Sequence, residues 1–158
     1  MKIAEHPGLV GLTASRPYIG SADPLIKLQK NPLFKALHLN ASLREVLGSP
    51  VGELVELRGL GFDHKYSSNE GIAFITNITE LRSLSLQNSS VDDDGISHIV
   101  KLTKLQTLFL DGSKVTDAGL KLLKNLKSLT LLSVRNLAVS PQAVADLQAA
   151  LPDCEILK

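Results

Sequence analysis

Aromatic rings and cysteine are what this chain has least of. Of its 158 residues 4% are aromatic, tryptophan is absent, and there is one methionine and one cysteine, Cys154. A lone cysteine excludes an intramolecular disulfide and fits a reducing compartment. So few rings exclude a core built around large aromatics, and the 44% hydrophobic content must be mainly Leu, Val, Ile and Ala. No stretch approaches the ~20 apolar residues of a membrane span. The N-terminal MKIAEHPGLVGL lacks the apolar run of a signal peptide. A cytoplasmic location is therefore expected, although a fragment of a longer chain would look the same. Nor is there an excess of one charge. Lys and Arg total 17 against 16 Asp and Glu, a formal net charge of +1, which makes no electrostatic case for nucleic acid or an anionic membrane as partner. A glycine-rich phosphate loop, HExxH and GxSxG are all missing. Cys154 has no histidine near it in sequence that would make it a nucleophile. The expectation is a protein that is not an enzyme and carries no cofactor.

Against these absences stands one strong periodicity. Residues 81–104 and 105–128 align as LRSLSLQNSSVDDDGISHIVKLTK over LQTLFLDGSKVTDAGLKLLKNLKS. Leu81, Leu84, Leu86, Val91, Ile96, Ile99 and Leu102 fall over Leu105, Leu108, Leu110, Val115, Leu120, Leu123 and Leu126. A fixed period of this size means stacked units, none of which buries its apolar side alone. Upstream, Leu57, Leu60 and Phe62 take the same places, then Phe34, Leu37 and Leu39 in a unit one residue shorter, then Leu9, Leu12 and Ala14. Downstream, Leu129, Leu132, Val134, Val139, Val144 and Leu147 continue the frame, and Ile156 stands where Leu132 did one period earlier. About six units fill a single domain: a degenerate unit over residues 1–33, repeats over 34–147 and a C-terminal half-repeat over 148–158.

Within each unit the apolar period changes. The end of Leu-x-x-Leu-x-Leu alternates, which predicts a short strand, and the spacing of Ile96, Ile99 and Leu102 predicts one stripe of a short helix. Ser68, Asp92, Thr116 and Ser140 mark the boundary as helix N-caps, each worth about 1 kcal/mol. Pro141 follows at the first helical position, where Asp93 and Asp117 stand in earlier units and complement the helix dipole. Gly71, Gly95 and Gly119, three residues after the caps, are expected to let each helix start lie close to the sheet.

The pattern LxxLxLxxS, with VDDDGI at 91–96 and VTDAGL at 115–120, resembles the leucine-rich repeat proteins. More narrowly, it resembles bacterial arrays built on a VTDAGL core, whose last unit often looks like ALPDCEI. The resemblance implies an α/β solenoid: a right-handed βα arc with a concave parallel sheet and convex helices. The family often has Asn at the ninth place of a repeat. Here that place holds Ser42, Lys65, Ser89, Ser113 and Leu137, and local irregularity is expected at Lys65 and Leu137.

In such an arc the residues between the strand leucines face outward from the concave side. One column is Thr13, His38, Gly61, Ser85, Phe109 and Ser133. The next is Ser15, Asn40, Asp63, Gln87, Asp111 and Arg135, and the one after is Arg16, Ala41, His64, Asn88, Gly112 and Asn136. From these, His38, Asn40, Asp63, His64, Gln87, Phe109, Asp111 and Arg135 are the candidate partner-binding residues. Phe109, flanked by Gln87, Asp111 and Arg135, reads as a small hot spot; a lone surface ring with no role is the alternative. Tyr18 and Tyr66 fall on the rim, where loop packing is the preferred reading. His38, Asp63 and His64 come together on one face, but open side chains without supporting partners make a poor metal or acid–base site, so no metal is expected. Lys114, Lys121, Lys124 and Lys127 make one repeat basic, most simply to keep a helix soluble.

The function these features imply is a monomeric, non-catalytic interaction module that binds a protein or peptide through its concave sheet. An interface of about 800 Å² per partner fits on six strands. The alternatives are an inhibitor of an enzyme or toxin, the recognition part of a larger enzyme or effector, or a plain spacer.

Overall fold

The computed structural model describes residues 11–15, 36–40, 57–62 and 67–158. Seven strands form one parallel sheet in chain order: β1 (Gly11–Ser15), β2 (Ala36–Asn40), β3 (Gly59–Phe62), β4 (Ser83–Ser85), β5 (Thr107–Phe109), β6 (Leu131–Ser133) and β7 (Glu155–Leu157). Four helices lie among the described residues: α1 (Asn69–Ile75), α2 (Asp93–Ile99), α3 (Asp117–Leu123) and α4 (Pro141–Ala150). Each connects successive strands, and each packs on the next helix along the array. The architecture is the expected repeat solenoid, with strands on one side and helices on the other.

The register confirms the frame residue by residue. Leu60, Leu84, Leu108, Leu132 and Ile156 are directly paired along the sheet. The shorter unit and the degenerate first one are also in register, since Leu37 pairs with Leu60 and Leu12 with Leu37. Leu84, Leu108 and Leu132 are fully buried between sheet and helices, as are Ile72, Ile75, Ile96, Ile99 and Leu123. Burying such a side chain stabilises the fold by about 1.5–3 kcal/mol, and these residues form one continuous core along the array.

Backbone groups follow the same translation. The Arg58 carbonyl accepts from Arg82 and Ser83, the Arg82 carbonyl from Gln106 and Thr107, and the Gln106 carbonyl from Thr130 and Leu131, all at 2.8–3.0 Å. At the other strand end, Leu86 donates to the Phe109 carbonyl and Leu110 to that of Ser133, both at 2.9 Å. After β4, β5 and β6 the chain turns through one left-handed residue. These are Asn88, Gly112 and Asn136, with φ of 54°, 65° and 57°, and Asn and Gly carry the smallest penalty there. Asn136 keeps this geometry and Leu137 packs half-buried on the core, but the bonds that Ser113 and Lys114 make to the Leu110 and Val91 carbonyls have no counterpart at Leu137 and Ala138. Lys65 lies outside the described residues.

All four expected N-caps are present. The side chains of Ser68, Asp92, Thr116 and Ser140 accept from backbone N–H groups of their own helices. The residue that follows each cap does more than meet a dipole. Asp93 accepts from the Thr116 N–H at 2.8 Å and from its hydroxyl at 2.6 Å. Asp117 binds Ser140 in the same two ways, both at 2.7 Å. Asn69 makes the corresponding pair with Asp92, accepting from its N–H at 3.2 Å and donating to its carboxylate at 2.6 Å. The starts of α1, α2 and α3 are thus each bonded to the next cap. Two of the helix glycines sit where space is tight on two sides. A Cβ at Gly95 would sit 2.6 Å from both the Asn69 amide oxygen and Val91 Cγ1, and one at Gly119 would overlap the Asp93 carboxylate and sit 2.8 Å from Val115 Cγ1. They make room both for the valine of their own repeat, under the helix start, and for the side chain reaching over from the preceding repeat.

Two outcomes follow from this interlock. Gly119→Ala should destabilise by about 1–3 kcal/mol through overpacking and lost hydrogen bonds. The part of this cost that comes from dislodging Asp93 should vanish in an Asp93→Ala background while the part set against Val115 Cγ1 remains, and a double-mutant cycle by urea denaturation separates the two. The second outcome concerns acid. The Ser140 hydrogen bonds hold the Asp117 carboxyl below its ordinary 3.8, and the Asn69 amide does the same for Asp92. A depressed folded-state pKa gives stabilisation that is complete above about pH 4 and lost as pH falls below it. Melting temperature should fall below that pH, and less steeply in Asp117→Asn, when followed by circular dichroism.

Candidate binding face

On the sheet, alternation sends Leu84, Leu108 and Leu132 into the core and leaves their neighbours on the other face. Two outward columns are in register. One runs Gly59, Ser83, Thr107, Leu131 and Glu155; the other runs Gly61, Ser85, Phe109, Ser133 and Leu157. Their polarity changes along the array. Over β3 and β4 the face is glycine and serine, whereas over β5 to β7 it carries Phe109, Leu131 and Leu157, all half-buried.

Phe109 and Leu157 pair in register with Ser133 on either side, and Leu131 lies two residues before Ser133 on the same face. Leu131 is therefore diagonal to both, roughly 7–8 Å away between backbones. Ser133 at the centre is only 1% exposed. Its hydroxyl donates to Asp111 at 2.5 Å.

Asp111 is the hub of the rim above this cluster. One carboxylate oxygen accepts from the Ser133 hydroxyl and from the Arg135 N–H at 2.8 Å; the other accepts from the Gln87 side-chain amide at 2.8 Å. Gln87, Asp111 and Arg135, spaced one repeat apart, are thus joined in one hydrogen-bonded chain that ties three repeats together. Gln87 and Arg135 remain exposed and Asp111 is half-buried.

His38 and Asn40 lie on β2, with His38 in register with Thr13 and Gly61 and Asn40 with Ser15. Asp63 and His64 lie outside the described residues, as do Tyr18 and Tyr66, so the His38–Asp63–His64 grouping does too. Among the described residues no group of three or more His, Cys, Asp or Glu side chains is placed to hold a metal. Cys154 is buried, and burial pushes its thiol above the ordinary 9.0, away from the reactive thiolate. No helix among the described residues is long and apolar enough to cross a membrane.

Reading by columns of named candidates passed over Leu131. The signal was present, because the same place one and two repeats earlier holds Thr107 and Ser83. It also passed over Phe74, 56% exposed on α1, and Leu122, 37% exposed on α3. Both lie off the buried helix stripe, two periods apart with His98 between.

Asp111→Ala should destabilise by about 1–3 kcal/mol, since it leaves the buried Ser133 hydroxyl without its partner. Arg135→Ala keeps the backbone N–H that Asp111 binds, and should stay within about 0.5 kcal/mol. Chemical denaturation separates the two.

No known family profile matches the chain, and no curated protein does. Solved structures do. An internalin (InlF) from Listeria monocytogenes superposes with a TM-score of 0.65 at 17% identity, over 87% of this chain and 37% of that one. TLR13, in a complex with ssRNA13, superposes at 0.64 with 22% identity, over 96% and 22% of the two chains. A leucine-rich repeat protein from Leptospira interrogans superposes at 0.53 with 21% identity, over 83% and 38%. The chain spans well under half the length of each of these proteins. Its repeat register, its strand-and-helix layering and these superpositions agree: the chain has the leucine-rich repeat fold.

Proposed function

We propose that the chain is a non-catalytic interaction module whose concave sheet binds a protein or peptide. The observation that carries this is the apolar cluster of Phe109, Leu131 and Leu157 on a face that is otherwise small and polar. Nothing in the fold requires it, because the same places hold Ser85 and Ser83 in an earlier repeat of identical register. Interface energy concentrates in such apolar anchors surrounded by polar groups. Gln87, Asp111, Arg135 and Glu155 supply that surround, and by the repeat frame of the sequence His38, Asn40, Asp63 and His64 belong to the same proposed face.

The charge pattern favours protein over nucleic acid. The two carboxylates of the cluster's surround stand beside one arginine, with no basic stripe to follow a phosphate backbone. TLR13 was solved in complex with ssRNA13; the apolar cluster and the two carboxylates here suit a protein or peptide better. A single repeat domain, acting as a monomer in a bacterial cell, completes the reading; the buried lone cysteine suits a reducing compartment. The narrower version, an inhibitor covering an enzyme or toxin, is a special case of the same face.

Phe109→Ser and Leu131→Ser test it, since each installs a residue that another repeat already carries at that place. The immobilised wild-type chain should retain a protein partner from lysate, and each variant should retain it at least about tenfold more weakly, a loss of about 1.4 kcal/mol. Equal retention by wild type and both variants, with unchanged melting curves, would overturn the concave-face assignment.

A further inference from the structure

Along the sheet, the carbonyl just before each strand serves the following repeat. Arg58, Arg82 and Gln106 each accept there from two backbone N–H groups of the next unit, and Thr130 accepts from Glu155 at 2.8 Å. Cys154 holds the same place before β7, and among the described residues no strand pairs with β7 on its far side. Its carbonyl is nevertheless occupied. The Gln148 side-chain amide donates to it at 2.9 Å and to the Leu151 carbonyl at 3.1 Å.

Gln148 reaches this point because its helix runs on. At the same place in earlier repeats stand Thr76, Val100 and Lys124, the C-caps of the seven-residue α1, α2 and α3. The ten-residue α4 continues past Gln148 to Ala150. A side chain that would otherwise lie at a helix end is thereby carried over the start of β7, and it supplies the donor that inner units receive from a neighbour.

The rest of that edge follows from alternation in a parallel ladder. Glu155 and Leu157 face β6, since the Glu155 N–H donates to Thr130 and the Leu157 carbonyl accepts from Val134. The N–H and carbonyl of Ile156 and the N–H of Lys158 then point away from the sheet, a template for another strand. This edge is complementary to itself under a two-fold axis. Antiparallel pairing centred on Ile156 exchanges two bonds between the Ile156 residues of two copies and brings each Lys158 N–H against the other copy's Cys154 carbonyl. Half of the bonds in such a pair end on the acceptor that Gln148 holds. The same pairing would set Glu155 of one copy opposite Leu157 of the other, across the end of the Phe109, Leu131 and Leu157 cluster.

We propose that Gln148 is a stop on the open edge of the sheet: by holding the Cys154 carbonyl it prevents β7 from pairing with β7 of a second copy, and so keeps the concave face of each chain free.

Sedimentation velocity over a concentration series tests this. Gln148→Met keeps the side-chain length and removes both donors. It should form a dimer with a dissociation constant at least about tenfold below that of the wild type, and hydrogen exchange at the Ile156 and Lys158 amides should slow as dimer forms. Gln148→Arg retains a donor and should sediment as the wild type does. Adding Lys158→Pro to Gln148→Met removes an outward N–H at an edge that tolerates proline and should abolish the dimer. Circular dichroism melting identifies folded variants, and Gln148→Glu, which also lacks donors there, takes the place of Gln148→Met if that variant does not fold. Equal self-association of wild type and the folded donor-free variant, a dimer that survives Lys158→Pro, or protection that maps to the helices instead of β7 would each overturn the proposal.

Discussion

The constraint on which this molecule rests is that no repeat can satisfy its own groups. Apolar side chains at the strand and helix places touch their counterparts one period away, and strand-start carbonyls accept from the following unit. The same holds for side chains. The cap-to-helix links at Asn69–Asp92, Asp93–Thr116 and Asp117–Ser140 span 23 residues, and the Gln87–Asp111 bond spans 24. Polar and apolar interactions therefore repeat along one axis, and losing one unit leaves its neighbours with both exposed core and unpaired donors.

From this comes a division of labour along each repeat. The leucines and the Ser/Thr–Asp–x–Gly segment serve the stack, and only the two outward places on each strand are left to vary. Even there the stack intrudes. Asp111 stands in a column that points to solvent, yet its carboxylate holds Ser133, Arg135 and Gln87 in place. Phe109, Leu131 and Leu157 are different, because no buried donor or acceptor depends on them. A surface free of structural duty is where partner specificity can accumulate at little cost to folding.

Much of this was legible beforehand because it depends on period. A leucine 24 residues after a leucine lands on the neighbouring strand whatever lies between, so Leu84, Leu108 and Leu132 were placed by counting. The N-caps were legible for the same reason, each standing at the point where the apolar period changes. What could not be read was direction: whether Asp93 pointed at its own helix or across to Thr116 depends on distances between units. The role of Gly119 followed from that and was equally hidden. Asn88, Gly112 and Asn136 fall in a column expected to face outward, and the left-handed turn each of them forms was not read from it. Ser67 is a residual cost of irregularity. It fills the place of Val91 and Val115, and its buried hydroxyl has no partner among the described residues.

The cap-to-helix link has a polarity: a side chain at each helix start reaches forward and never back. At α4 the reaching residue is Pro141, which has nothing to extend, and the receiving glycine is Ala143. Among the described residues the chain of links therefore runs from α1 to α4 and stops there. Gene duplication can lengthen such an array by copying a unit upstream of Pro141, where each junction regenerates itself, whereas a copy appended after α4 would find no hand held out to it.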